Sequence, residues 1–154
     1  MPSTDIFESL ERHLKTTDEV ELLLLRGHLI IEHCLNAMLL LHISSEDELQ
    51  RLSLTFARKT DLLVALRGRG TAPAKWIAHL REINRIRNKL AHQLDFASYH
   101  SDLKRWACAV TGYEPKSLNR RATYRNTVMR AFYMLSGFLS GWAEGARSAS
   151  DVRT

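Results

Sequence analysis

Read for its pattern of hydrophobic and polar positions, the chain is a succession of helical segments. Apolar residues recur at three- and four-residue spacings, and no stretch shows the strict alternation of a half-buried strand. Residues 4–15 follow a Ser/Thr start and place Ile6, Phe7, Leu10 and Leu14 on one side, which predicts a short covering helix. The segment from about Asp18 to His42 begins with acidic residues, which suit a helix N-terminus, and is apolar nearly all round. That is the pattern of a helix at the centre of a fold.

Beyond it, SSEDELQ (44–50) offers a serine cap followed by acidic residues. LSLTFARKTDLLVAL (52–66) then continues helically after a bend near Ser53. The clearest break is RGRGTAP (67–73), with two glycines and a proline; it leads into a helix from about Ala74 to Leu94. SYHSDLKRWACAV (98–110) predicts a shorter helix, ended by TGYEP. A last helix starts near Ser117 or Asn119 and runs to about Ala146, before a polar tail expected to fray. Long helices joined by short breaks predict an all-α fold, an antiparallel four-helix bundle with short accessory helices. We read residues 1–147 as one domain and 148–154 as a flexible tail.

Composition adds modest constraints. A length of 154 residues suits a single core, and only 7 glycines and 3 prolines leave little material for strands and turns. The net charge of +5 is mostly arginine and fits a polyanionic partner such as RNA, although basic proteins without one are common. Cys34 and Cys108 lie in apolar helical contexts far from any metal-like Cys/His spacing, so they read as reduced core thiols of a cytoplasmic protein. No export signal is visible at the N-terminus, and the uncharged run 131–143 falls short of the ~20 residues that a membrane span needs, so no membrane partner is expected. No cofactor or metal site is predicted.

The stretch that carries candidate chemistry is NRIRNKLAHQL (84–94). On a helical wheel Trp76, Ile77, Leu80, Ile83, Ile86, Leu90, Ala91 and Leu94 share one broad arc, with Arg87 near its middle. A guanidinium there needs a partner, an interface, or a route out along the core margin. Glu32, the one carboxylate between Glu21 and Glu46, is the expected partner of Arg87 or Arg85. The opposite arc carries Arg81, Arg85, Asn88, Lys89 and His92. Of these, Arg85, Asn88 and His92 are spaced to converge on one small anion, unless they are simply a solvated basic face. Arg120, Arg121 and Arg125 crowd the start of the last helix, where the helix dipole disfavours cations; this suggests RNA phosphate contacts with Tyr124 stacking on a base. Gly137, Gly141 and Gly145 recur every four residues, which permits close helix approach within the chain or across a dimer.

The segment IRNKLAH, on the third long helix of a four-helix pattern and after a central helix bearing a lone Glu, resembles the HEPN superfamily. These are all-helical domains marked by Arg, four to six residues, then His, often with a polar residue after the Arg. The order LTFARKTDLLVAL, a break, then LREINRIRNKLAHQLDF is similar to the branch containing the mannitol operon repressor. The resemblance covers roughly residues 18–145. It implies a two-fold homodimer acting as a metal-independent endoribonuclease, in toxin or phage-defence biology, with RNA as substrate and an antitoxin protein as a further partner. It further implies that His92 manages protons, Arg87 stabilises the phosphate and Asn88 positions the substrate. Two departures stand out. Arg87 and His92 lie about 140° apart on one helix, so either a second protomer unites them or Arg85 is the working arginine. Leu94 occupies the position of the tyrosine that nucleotidyltransferase antitoxins modify, which argues against such a partner acting there. The alternative implied by the repressor-like branch is a non-catalytic helical regulator or adaptor.

Overall fold

The computed structural model describes residue 8 and residues 19–67, 74–92 and 98–151, the side chains of 146–151 excepted. Among the described residues the protein is all-helical. Its helices are α1 (Val20–Leu39), α2 (Glu46–Arg51), α3 (Phe56–Arg67), α4 (Ala74–His92), α5 (Ser98–Thr111) and α6 (Arg121–Asp151). All but residue 8 of the helix expected over 4–15, the break at 68–73 and Leu94 fall outside the described residues.

Local chemistry explains most of the boundaries. Ser45 caps α2 by accepting a hydrogen bond from the Glu48 backbone N–H at 3.2 Å, and Glu46, Asp47 and Glu48 complement the positive end of the helix. The bend expected near Ser53 is a full break: Ser53 takes a left-handed conformation with φ 47°. Thr55 then restarts the chain, its Oγ1 accepting from the Arg58 backbone N–H at 3.3 Å. The last helix begins at Arg121, later than expected, because residues 115–120 are spent on turn hydrogen bonds from Leu118 to Pro115 and from Arg120 to Ser117. It runs to Asp151, past Ala146. After Gly145 the residues ARSASD contain no glycine or proline to stop it.

The buried side chains form one cluster that draws on all six helices. α1 packs against α3, α4 and α6, while α4 touches α1, α3, α5 and α6. By length and composition α1 would cross a bilayer, a test that the core helix of a bundle also passes; half of it is buried here. Its polar residues explain how it differs from a lipid-facing helix: Arg26, His28, Glu32 and His33 all lie within it.

One contact sets how close α1 and α6 come. A Cβ placed on Gly27 would lie 2.6 Å from ring carbons of the fully buried Phe132, so only glycine fits. The glycines flagged in the sequence behave differently. Among the described residues, a Cβ at Gly137, Gly141 or Gly145 would meet nothing within 4 Å, so none of the described helices approaches closely at these glycines.

Candidate functional site

The outer face of α4 is an ion-pair lattice. Arg85 donates to both Glu82 oxygens, at 2.9 and 2.6 Å, and reaches Asp102 of α5 at 3.1 Å. Lys89 meets the same Asp102 oxygen at 3.1 Å, and Arg105 approaches its other oxygen at 3.6 Å. Lys89 first, and Arg85 with it, hold the Asp102 carboxyl below its ordinary pKa, and the bond from Arg85 does the same for Glu82. Arg81 pairs with the exposed Asp61 of α3 at 3.1 Å. Three of the five residues on the predicted basic arc are therefore neutralised by carboxylates, two of which come from other helices. Arg85, Asn88 and His92 do not form an open anion cradle, since Arg85 is committed to Glu82 and Asp102.

Arg87 has a different setting. It is half-buried on the α4 arc that also carries Leu80, Ile83 and Ile86. Its guanidinium donates to the Asn88 side-chain oxygen at 3.2 Å, and no carboxylate lies within ion-pair distance among the described residues. The core opens here: Leu90 is half-buried, and Ala91 and His92 are exposed at the end of α4. Arg87 thus follows the core margin outward, as long cationic side chains do.

The expected pairing of Glu32 with Arg87 or Arg85 is corrected. Glu32 instead accepts from Lys59 of α3 at 2.7 Å, the side chains being 28% and 11% exposed. Glu32 faces the start of α3, and Lys59 lies there because Thr55 begins that helix four residues earlier. Glu32→Ala should cost about 1–2 kcal/mol by leaving the Lys59 ammonium mostly buried and unpaired, less than for a sealed pair because Glu32 is partly solvated. Glu32→Leu combined with Lys59→Met should recover most of that loss; urea denaturation of the single and double variants checks both.

Sequence reading missed His28. It is buried on α1, its ring stacked on Phe56 at 4.4 Å between centroids, and its Nε2 lies 3.1 Å from the Asn84 side-chain oxygen of α4. The available signal was a polar residue inside the apolar arc of each helix, His28 on one and Asn84 on the other. Burial pushes the His28 imidazole below its ordinary pKa and the Arg87 charge adds to this, while the Asn84 bond and Glu32 oppose it. The unfolded chain, titrating near 6.5, then binds a proton that the folded state refuses. Stability should be complete above that pH and fall as pH drops below it, levelling off once the folded pKa is passed. Urea midpoints measured from pH 7.5 down to 5 should show this slope in the wild type and a flatter one in His28→Gln. The depressed carboxylates Glu21, Glu82 and Asp102 act in a more acid window.

The predicted base-stacking role of Tyr124 is also corrected. Tyr124 is buried, its hydroxyl is 2.9 Å from His100 Nδ1, and Lys104 sits over its ring at 4.9 Å. It lies on the core side of α6 against α5, so no face of the ring is open to a base. Arg120 and Arg121 are exposed near the same helix start, and Arg125 is half-buried with a bond to Asn126 at 3.2 Å. Burial raises the thiol of Cys34 to about 12 and that of Cys108 less far, which makes both poor nucleophiles.

No family model matches the chain, and neither the curated proteins nor the solved structures yield a match.

Proposed function

We propose that the protein is a HEPN-type endoribonuclease that cleaves RNA at a composite site, with Arg87 and Asn88 of one protomer facing His92 of a second across a two-fold homodimer. In this reading α1, α4, α5 and α6 are the helices of the four-helix bundle, and the protein works in the cytoplasm as a toxin or phage-defence effector. The observation that carries it is the contrast along α4. Arg85 and Lys89 are spent on Asp102, whereas Arg87, beside Asn88 at the end of the helix, meets no carboxylate among the described residues and His92 is exposed one turn on. Arg87 is therefore the working arginine. Because it points about 140° from His92, the two residues act together only when a second copy supplies the other half. Leu22, Leu25 and Leu29, exposed along one face of α1, offer apolar area that such a partner would remove from water.

The chemistry follows from the residue types. His92 takes the proton from a ribose 2′-OH as its oxygen attacks the adjacent phosphorus. Arg87 offsets the charge that gathers on the phosphorane, and the 5′-oxygen leaves with a proton taken from water, giving a 2′,3′-cyclic phosphate and a 5′-hydroxyl; His92 then returns its proton to solvent. Asn88, bonded to Arg87, orients it and can meet a phosphate or 2′-OH through its amide. The exposed Arg120 and Arg121 add cationic surface for the backbone.

The test is purified protein incubated with single-stranded RNA in excess EDTA. Cleavage with cyclic-phosphate ends, lost in His92→Ala, is the expected result. A second reading, a non-catalytic helical adaptor, is favoured by one observation: the arginine and histidine diverge on the same helix. Absence of cleavage by a folded dimer would select it.

A further inference from the structure

Positive charge is unevenly spread along the chain. Residues 104–125 hold six cations, Lys104, Arg105, Lys116, Arg120, Arg121 and Arg125, against one carboxylate, Glu114. Their net charge of +5 equals that of the whole molecule, so the rest of the chain balances to zero. On α4, Arg81 and Arg85 are answered by Asp61 and Asp102 from α3 and α5, whereas segment 104–125 brings a single carboxylate to its six cations.

The fold lays this segment out as one outer edge. Gly112, at φ 66°, ends α5 with its N–H donating to the Cys108 carbonyl at 2.9 Å, and the chain then doubles back along that helix. Lys104 donates to the Asn119 side chain at 3.2 Å, and His100 Nδ1 lies 2.9 Å from the Tyr124 hydroxyl. The connection into α6 is thereby held along α5, with Lys116, Arg120 and Arg121 exposed on it. Arg121 and Arg125, one turn apart, line a recess of about 570 Å³ with Ala122 and Asn126. Lys89 of α4 reaches the Ser98 carbonyl at 3.4 Å, which sets the end of α4 beside the start of α5. The start of α6 therefore belongs to the same end of the bundle as His92.

Tyr113 stands where the connection leaves α5. Its side chain is 57% exposed, the one large apolar side chain of this segment so exposed among the described residues. Its backbone is tethered: the Tyr113 N–H donates to Thr111 Oγ1 at 3.4 Å, and that hydroxyl donates to the Ala107 carbonyl at 2.8 Å. A tethered aromatic ring open to solvent beside a row of cations is a platform on which a base can stack. A bilayer would call for aliphatic side chains to insert, and the exposed leucines and Met134 all lie outside 104–125.

We propose that the edge from Tyr113 to Arg125 is a docking track for single-stranded RNA, with an unstacked base on the Tyr113 ring and successive phosphates on Lys116, Arg120, Arg121 and Arg125. Arginine, the majority among these cations, forks onto two phosphate oxygens at once. The preference for a single strand comes from Tyr113, because a duplex keeps its bases stacked on one another. The choice of RNA over DNA rests on the cleavage reading.

The experiment is fluorescence anisotropy of the full chain with a labelled 2′-O-methyl RNA strand of about 12 nucleotides. That strand lacks the attacking hydroxyl, so its binding is read apart from any cleavage. A dissociation constant of about 10 µM is expected at about 0.1 M salt, weakening with salt at a log–log slope of about 3 for four phosphate contacts. Lys116→Ser combined with Arg120→Ser, both exposed, should weaken binding about tenfold and lower the slope by about 1.4. Tyr113→Ala should also weaken it about tenfold but leave the slope unchanged, and Tyr113→Phe should bind as the wild type does. Wild-type binding by Tyr113→Ala, or an unchanged slope in the Lys116/Arg120 variant, would overturn the proposal. So would tighter binding of the duplex, of the same strand as DNA, of polyglutamate or of phosphatidylserine vesicles, or no binding at hundreds of micromolar.

Discussion

Arg87→Ala is expected to lower RNA cleavage by about 10²–10³-fold in kcat/KM, some 3–4 kcal/mol of transition-state stabilisation, while leaving the fold intact. The fold should survive because Arg87 makes no ion pair among the described residues and gives up one side-chain hydrogen bond to Asn88, at 3.2 Å and in contact with solvent. Arg85→Ala should behave in the opposite way. It removes the two-point contact with Glu82 and one arm on Asp102, costs about 1 kcal/mol of stability, and leaves cleavage within a few-fold of the wild type. His92→Ala should match Arg87→Ala in depth. If the site is composite, mixing inactive Arg87→Ala and His92→Ala protomers restores one of the two sites in each mixed dimer, about a quarter of wild-type activity at random pairing. A fully active Arg87→Ala protein, or no recovery on mixing despite subunit exchange, would sink the composite site.

The largest effect on stability is expected at Gly27. Alanine there gains about 1 kcal/mol of helix propensity, yet its methyl would sit 2.6 Å from the fully buried Phe132 ring, which would have to shift within the core. The net result should be a loss of about 1–3 kcal/mol in urea denaturation, and Gly27→Leu should not fold. Phe132→Leu creates space at the same point, so Gly27→Ala combined with Phe132→Leu should be less damaging than the sum of the two changes. A stabilised Gly27→Ala protein would mean that α1 and α6 do not approach as described.

How far the sequence could be read depended on whether the deciding partner was local. The Ser45 cap, the bend at Ser53 and the buried face of α4 at Ile77, Leu80, Ile83 and Ile86 all follow from residues within a turn or two of one another. The charges did not. Arg81, Arg85 and Lys89 share one face of a helical wheel, but Asp61 and Asp102, which answer them, come from two other helices. Glu32 stands alone as a carboxylate in its stretch of sequence, and Lys59 reaches it only because α3 folds back against α1. Among the glycines, 137, 141 and 145 are regularly spaced, whereas the close approach sits at Gly27, which belongs to no such pattern.

What the sequence determined by itself is the all-helical character and most helix positions, because periodicity, caps and breakers act over short stretches of chain. Tertiary structure alone decided which polar residues are spent and which remain available. Ion pairs and buried hydrogen bonds such as His28 with Asn84 join residues many turns apart, and the energy of a charge depends on what surrounds it in space rather than along the chain. That is why Arg85, the arginine sharing a face with His92, turns out to be bound to carboxylates, and Arg87, the one placed against the core, meets no carboxylate among the described residues.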